Sequence, residues 1–155
     1  MNGKLVLLVE DSATDVDLLL RRFRHWGVTN PVRVLETGQA ARDYLAGVGN
    51  YADRAAHPLP IVLLLDLYLP GLSGLGLLEW IRTASPHAQL PVVVLSGTQN
   101  QADFTRAYAL GANACLLKSL ELADLRDLIG ELDYFSLANP LRAGDLNFFL
   151  EAQDS

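Results

Sequence analysis

The chain has a single cysteine, Cys115, among its 155 residues. One thiol cannot form an intrachain disulfide, so a disulfide-stabilised secreted scaffold is excluded and a reducing compartment is favoured. The apolar run near the start, Leu5–Val9, continues directly into Glu10 and Asp11 without a cleavage site, which argues against a secretory signal. These features predict a cytoplasmic protein.

The sequence also lacks a basic cluster and a membrane-spanning segment. The formal net charge is −6, and the lysines and arginines do not gather in one segment, which argues against nucleic-acid binding. The most apolar stretch, Leu59–Leu78, contains Asp66, Pro60 and Pro70. A buried strand followed by a turn explains this stretch better than a membrane span.

Five short apolar runs suggest the strands of one domain. Each run is continuous and does not alternate with polar residues, which is typical of strands buried on both faces of a parallel sheet. The runs are Leu5–Val9, Val32–Leu35, Ile61–Leu65, Val92–Leu95 and Cys115–Leu117. A chain of this length can bury one core and is short for two domains.

Helical patterns lie between and after these runs. The first two have apolar residues at helical spacing: Val16, Leu19, Leu20 and Phe23, then Ala41, Tyr44, Leu45 and Val48. Ser12 or Thr14 would cap the first helix, and Gly27 would end it. A third helix is predicted from about residue 74, a fourth over about 99–110, and a fifth from about 120. Five alternating β-α units predict a doubly wound α/β fold with a central parallel sheet.

Polar side chains follow four of the predicted strands at their carboxyl ends, where such folds bind ligands. They are Glu10 and Asp11, Asp66, Ser96, and Lys118. Three carboxylates placed close together raise one another's pKa unless a cation neutralises them. Carboxylate oxygens are preferred ligands of Mg²⁺, so Glu10, Asp11 and Asp66 are predicted to hold that ion.

This set of side chains suits phosphoryl transfer to a carboxylate. Asp66 would be the nucleophile and would form an acyl phosphate, while Lys118 and Ser96 would stabilise the charge on the phosphoryl oxygens. Taken singly, most of these residues have simpler explanations: a helix cap for Glu10 and Asp11, a turn for Ser96, a solvated side chain for Lys118. Asp66, which closes an apolar run, has no such role in packing.

Four segments resemble the signature segments of response-regulator receiver domains. They are Val9–Ser12, Leu65–Gly71, Leu95–Gly97 and Leu117–Lys118. The resemblance implies a flavodoxin-like α/β fold, with a doubly wound five-stranded parallel sheet in the order 2-1-3-4-5 and helices on both faces. It also implies a signalling protein that is not an enzyme in the ordinary sense. A histidine kinase would phosphorylate Asp66, and the backbone carbonyl of Tyr68 would join the Mg²⁺ ligands.

Finer features are similar to stand-alone receivers that partner phytochrome-type histidine kinases. These features are the long loop Asn50–Pro60, the Lys118-Ser119 pair and the extended end of the chain. The expected organisation is a receiver over residues 1–132 and an extension over 133–155, with no separate output domain. The extension, rich in apolar residues, would pack on its own domain or join helices four and five in a homodimer.

Two positions need separate hypotheses. Many receivers carry a Tyr or Phe where this chain has Cys115, and a cysteine cannot act as the same aromatic switch. A conformational response would therefore be relayed by other parts of the fourth helix and fifth strand. Tyr68, two residues after Asp66, would either shield the phosphoryl group from water or simply be exposed.

Three other functions remain open at this point. A flavodoxin-like electron carrier would need a phosphate-binding loop rich in Ser, Thr and Gly after the first strand, where Glu10 and Asp11 would repel a flavin phosphate. A Mg²⁺-dependent phosphatase with an Asp nucleophile would need a second carboxylate where Tyr68 stands. A receiver-like binding module that is never phosphorylated is the third.

Overall fold

The computed structural model describes residues 4–97, 100–118 and 126–127. Its strands are β1 (Val6–Val9), β2 (Val32–Leu35), β3 (Val62–Asp66), β4 (Val92–Ser96) and β5 (Ala114–Leu117). Its helices are α1 (Ala13–His25), α2 (Gly38–Ala46), α3 (Gly74–Thr83) and α4 (Gln101–Ala109), with a short 3-10 helix at Gly49–Tyr51. The elements alternate along the chain in the predicted β-α order.

The strands form one parallel sheet in the order β2-β1-β3-β4-β5. The predicted doubly wound fold and strand order are therefore confirmed. The register pairs Asp66 with Leu95, and Ser96 with Leu117. Because all strands run in the same direction, their carboxyl ends meet at one edge of the sheet.

The three central strands, β1, β3 and β4, are buried along their whole length. Alternate residues face two separate apolar clusters, one on each side of the sheet. One cluster joins the sheet to α2 and α3, and the other joins it to α1. Burial on both faces explains why these strands are continuous apolar runs in the sequence.

Local signals determine where the helices start and end. Ser12, and not Thr14, caps α1: its Oγ accepts a hydrogen bond from the Asp15 N–H at 3.3 Å. The prediction that Val48 belongs to the buried face of α2 is wrong. Gly47 adopts a left-handed conformation with φ of 71° and ends α2, which leaves the Val48 side chain 49% exposed.

The segment predicted as the loop Asn50–Pro60 precedes β3 and lies at the edge of the sheet opposite the carboxyl ends of the strands. The guanidinium of Arg54 donates hydrogen bonds to the carbonyl oxygens of Tyr44 at 2.6 Å and Leu45 at 2.8 Å, in the last turn of α2. The Tyr44 hydroxyl in turn donates to the Pro58 carbonyl at 2.6 Å. These bonds satisfy helix-end carbonyls and fasten the loop to α2.

The predicted fifth helix and the extension over 133–155 lie outside the described residues, apart from Arg126 and Asp127, which are helical. The domain boundary at 132 therefore stays a prediction. Within the described ranges, no helix is both long and apolar enough to cross a membrane.

Candidate functional site

Three carboxylates meet at the carboxyl edge of the sheet. Glu10 follows β1 and is buried, Asp11 is exposed, and Asp66 ends β3 and is buried. One carboxylate oxygen from each lies within 4.8 Å of the other two. Like charges at this spacing repel one another, so the arrangement calls for a cation.

Lys118, directly after β5, supplies one positive charge to this cluster. Its ammonium donates to Glu10 Oε1, to Asp15 Oδ2 at 2.9 Å and to Asp66 Oδ2 at 3.3 Å. The lysine side chain is only 17% exposed. Its backbone N–H donates to the Ser96 carbonyl at 2.7 Å, so β4 fixes the point from which the side chain extends.

Burial and charge shift the pKa values of two of these groups. Desolvation raises the pKa of Glu10 to about 7, and the ammonium of Lys118 opposes that shift. Desolvation would lower the pKa of Lys118, but its hydrogen bonds to Glu10 and Asp15 and the charge of Asp66 raise it above its usual range. Lys118 is therefore a fixed positive charge, whereas Glu10 gains a proton near neutral pH.

The carboxylate of Asp66 is held on both sides. Its Oδ1 accepts a hydrogen bond from the backbone N–H of Tyr68 at 3.1 Å, and its Oδ2 faces Lys118. The turn after it is compact: the N–H of Gly74 donates to the Leu67 carbonyl at 3.0 Å. These contacts orient the side chain towards the cluster.

Ser96 lies on the strand next to that of Asp66, and Tyr68 lies two residues after Asp66 in the chain. Ser96 ends β4, one residue beyond the partner of Asp66 in the register, and is 1% exposed. The Tyr68 side chain is 52% exposed, and its hydroxyl donates to Asp103 Oδ2 in the first turn of α4. The structure thus brings all the predicted site residues to one edge of the sheet and links the turn after β3 to α4.

Cys115 is buried in β5, and burial raises the pKa of its thiol to about 11. The backbone N–H of Cys115 donates to the hydroxyl of Tyr108 at 3.0 Å. Tyr108 lies on α4, so an aromatic side chain does contact this point of β5, but it comes from the neighbouring helix.

Sequence reasoning missed two residues of this region, Asp15 and Asp103. Asp15 had an available signal, because it lies in the first turn of the helix that follows Glu10 and Asp11. Asp103 had none, because its contact with Tyr68 joins residues 35 positions apart.

The sequence profile of the response regulator receiver domain matches residues 6–130. The chain therefore belongs to this family. The match covers every element described above and each of the predicted site residues.

Two curated proteins are similar in sequence to this chain over most of their length. "Probable methanogenesis regulatory protein FilR2" of Methanothrix harundinacea is 34% identical over 86% of this chain and 83% of its own length. Response regulator Rcp1 of Synechocystis is 34% identical over 86% of this chain and 89% of its own length.

Three solved structures are also similar. The response regulator RPA3017, in red light signaling of R. palustris, is 31% identical, with a TM-score of 0.76 over 87% of this chain and 98% of that one. The Mn²⁺-bound form of Rcp1 is 33% identical, with a TM-score of 0.72 over 91% and 100%. The phosphorylated cyanobacterial phytochrome response regulator RcpA is 32% identical, with a TM-score of 0.73 over 88% and 99%. This chain is thus similar to response regulators of phytochromes.

Proposed function

We propose that this receiver accepts a phosphoryl group on Asp66 from the phosphohistidine of a histidine kinase, and that the kinase is of the phytochrome type. The observation that carries the proposal is the arrangement around Asp66. Its Oδ2 lies 3.3 Å from the Lys118 ammonium. One of its carboxylate oxygens also lies within 4.8 Å of an oxygen of Glu10 and an oxygen of Asp11. The similarity to response regulators named for phytochromes supports the choice of kinase.

The reaction is a substitution at phosphorus. A carboxylate oxygen of Asp66 forms the new O–P bond, the N–P bond of the phosphohistidine breaks, and its electron pair stays on the imidazole. The ammonium of Lys118 and the hydroxyl of Ser96 then stabilise negative charge on the phosphoryl oxygens. Since Tyr68 N–H and Lys118 already orient Asp66, little rearrangement precedes the attack.

Glu10, Asp11 and Asp66 would hold Mg²⁺, with the backbone carbonyl of Tyr68 as a further ligand. The donor set fits this ion, because it consists of oxygens, two from buried carboxylates and one from an exposed carboxylate. When bound, Mg²⁺ supplies positive charge that offsets charge on the phosphoryl oxygens. The solved Mn²⁺-bound form of Rcp1, a similar receiver, supports a divalent cation here.

The first experiment measures the intact mass of the protein after incubation with Mg²⁺ and acetyl phosphate, for the wild type and for Asp66→Asn. We expect a gain of one phosphoryl group in the wild type alone, lost when a chelator is added. If neither acetyl phosphate nor a phosphohistidine kinase adds mass to the wild type, the proposal fails and a receiver-like binding module remains.

Mg²⁺ affinity should depend on pH through Glu10. The pKa of Glu10 is raised from 4.5 to about 7, so below that pH a proton competes with the ion. We expect the Mg²⁺ Kd to fall by up to about tenfold per pH unit between about pH 5.5 and about pH 7, and then to level off. Calorimetric Mg²⁺ titration at several pH values checks this.

The same proton preference gives a second readout for Glu10. Because the folded state holds this proton more tightly than the unfolded chain does, the metal-free protein should lose stability as the pH rises from about 4.5 to about 7. Glu10→Gln is the control and should flatten this part of both pH profiles. A Mg²⁺ Kd that stays constant from about pH 5.5 to about pH 7 would contradict the assignment.

Tyr68 should slow hydrolysis of the acyl phosphate by keeping water from it. Its hydroxyl donates to Asp103, which holds the ring between the turn after β3 and α4. We expect Tyr68→Asn to speed the decay of phosphorylated protein several-fold, measured by intact mass after the donor is removed. Asp103→Asn keeps the ring but weakens its hold, and should give a smaller increase. An unchanged decay rate in Tyr68→Asn would leave Tyr68 as an exposed side chain only.

The conformational response is proposed to pass through α4 and β5 without an aromatic residue at position 115. The hydrogen bond from the Cys115 N–H to the Tyr108 hydroxyl supports this route, because it links the two elements directly. Amide hydrogen exchange of free and phosphorylated protein tests it. We expect changed protection in α4 and β5, and unchanged protection there would contradict the relay.

A homodimer through α4, the fifth helix and the extension over 133–155 remains part of the proposal. Two of these three elements lie outside the described residues, so support comes from the sequence pattern alone. The mass in solution by light scattering, with and without phosphorylation, tests it.

A further inference from the structure

We infer that Asp15 is a positioning residue. It anchors the Lys118 ammonium beside Asp66 when the carboxylates of Glu10 and Asp66 coordinate a metal ion. The inference rests on the proposed function and deepens it, because it assigns a role to a carboxylate that takes no part in the proposed metal site.

Asp15 contacts Lys118 from a separate element. It lies in the first turn of α1, and its Oδ2 accepts from the ammonium at 2.9 Å, closer than the 3.3 Å between that ammonium and Asp66 Oδ2. The Asp15 side chain is 41% exposed and the Lys118 side chain 17%, so the pair sits at the boundary between the site and solvent.

The usual task of an acidic residue at this position of a helix is already done by another residue. Three residues after a Ser or Thr cap, a Glu or Gln side chain can turn back to accept from the backbone N–H of the capping residue. Here the Ser12 N–H donates to Glu10 Oε2 at 3.2 Å instead. The Asp15 carboxylate is directed to Lys118, so a capping box does not account for its orientation.

Of the three acidic partners of Lys118, two belong to the proposed metal site and Asp15 does not. Among the described residues, the carboxylates close enough together to share an ion are those of Glu10, Asp11 and Asp66. A metal ion coordinated by oxygens of Glu10 and Asp66 would weaken the contacts of these carboxylates with Lys118. The ion competes for the same oxygens, and its positive charge repels the ammonium. Asp15 lies outside that group, and its 2.9 Å contact then becomes the main anchor of the ammonium.

An anchor of this kind suits a lysine that must change partners. The ammonium stays within reach of Asp66 without blocking it, and a new phosphoryl group can attract it away from Asp15. Because the Asp15 carboxylate is partly exposed, water replaces the lysine there at little cost when the lysine leaves.

The composition of the chain allows a direct test. It contains two lysines, Lys118 and the exposed Lys4. In protein labelled with ¹⁵N and ¹³C in lysine only, the side-chain ammonium signal of Lys118 therefore has a single companion, which serves as an internal reference. The signal is recorded for the wild type and Asp15→Asn, each without and with saturating Mg²⁺.

We expect Lys118 in the wild type to keep a shifted, exchange-protected signal when Mg²⁺ is added. In Asp15→Asn with Mg²⁺ the signal should move to the position of Lys4 and lose protection. Asp17→Asn is the matched control, since it removes one charge from the same helix, where Asp17 pairs with Arg21 at the surface. Asp15→Glu should recover part of the protection.

Two further outcomes separate this inference from the proposed function. If the wild type does not bind Mg²⁺ in the calorimetric titration, the proposed metal site fails, and the metal-free comparison decides: a changed Lys118 signal in Asp15→Asn supports the anchor. If Asp15→Asn matches the wild type both with and without Mg²⁺, the inference is overturned whatever the phosphorylation assay shows.

Discussion

Lys118→Ala should slow phosphorylation of Asp66 by acetyl phosphate about 10²- to 10³-fold, the usual effect of removing one preorganised charge-stabilising group. The wild-type ammonium lies 3.3 Å from Asp66 Oδ2 and is largely shielded from water. In the proposed reaction, alanine removes this charge from the place where the phosphoryl oxygens would lie. The initial rate of mass gain at saturating Mg²⁺ measures the effect.

Mg²⁺ affinity distinguishes this role from general damage to the site. Lys118 contacts Glu10 and Asp66, two of the proposed metal ligands, so Lys118→Ala should bind Mg²⁺ at least as tightly as the wild type. Lys4→Ala, at the only other lysine, should leave both quantities unchanged. If Lys118→Ala reacted at close to the wild-type rate, the lysine would be a counter-charge in the free protein and nothing more.

Gly74→Ala should lower the free energy of unfolding by about 3 kcal/mol, near the upper end for forcing an atom into a packed region. A Cβ at position 74 would lie 2.3 Å from the Asp66 carbonyl oxygen and 2.6 Å from the Leu67 Cα. Both are backbone atoms, so the clash cannot be relieved by a rotamer change. For a chain of this size the expected fall in Tm is roughly 6–12 °C.

Gly76→Ala, two residues along α3, is the matched control. A Cβ there would lie 3.1 Å from Leu72 Cδ1 and 3.2 Å from Ser73 Oγ, which are side-chain atoms able to move. Alanine also favours a helix over glycine by up to about 1 kcal/mol, so the net change should stay within about 1 kcal/mol. Thermal unfolding of the two variants compares them. Equal losses of stability would show that the close approach of Gly74 to the Asp66 backbone is not the cause.

The fold could be predicted because each central strand is a continuous apolar run in the sequence. Strands buried on both faces must be apolar along their whole length, and these runs, alternating with helical patterns, leave few arrangements other than a doubly wound sheet. The error at Val48 was local: helical spacing continues past Gly47 in the sequence, but the left-handed conformation of that glycine ends the helix. The spacing of apolar residues carries no information about the backbone conformation of Gly47.

The candidate site was partly predictable for a similar reason. Residues that directly follow parallel strands must meet, so Glu10, Asp66 and Lys118 could be grouped without knowing any distance. Asp103 could not, because its contact with Tyr68 depends on how α4 packs beside the sheet. Asp15 had a signal in its position in the first turn of α1, but its contact with Lys118 also depends on the packing of that helix. The contact between the Tyr108 hydroxyl and the backbone of Cys115 was not predictable either, because it depends on how α4 packs against β5. The prediction from sequence rested only on the side chain at position 115, which is not aromatic.

The buried thiol of Cys115 is a poor target for oxidants. The chain's single cysteine is enclosed in β5, and with a pKa of about 11 it stays protonated at cellular pH, whereas disulfide exchange and oxidation require an accessible thiolate. A second cysteine introduced at the exposed Ala55, in the loop that Arg54 fastens to α2, would therefore react alone with a maleimide dye. One added cysteine thus places a fluorescent reporter at the edge opposite the acidic cluster, and Cys115 need not be replaced first.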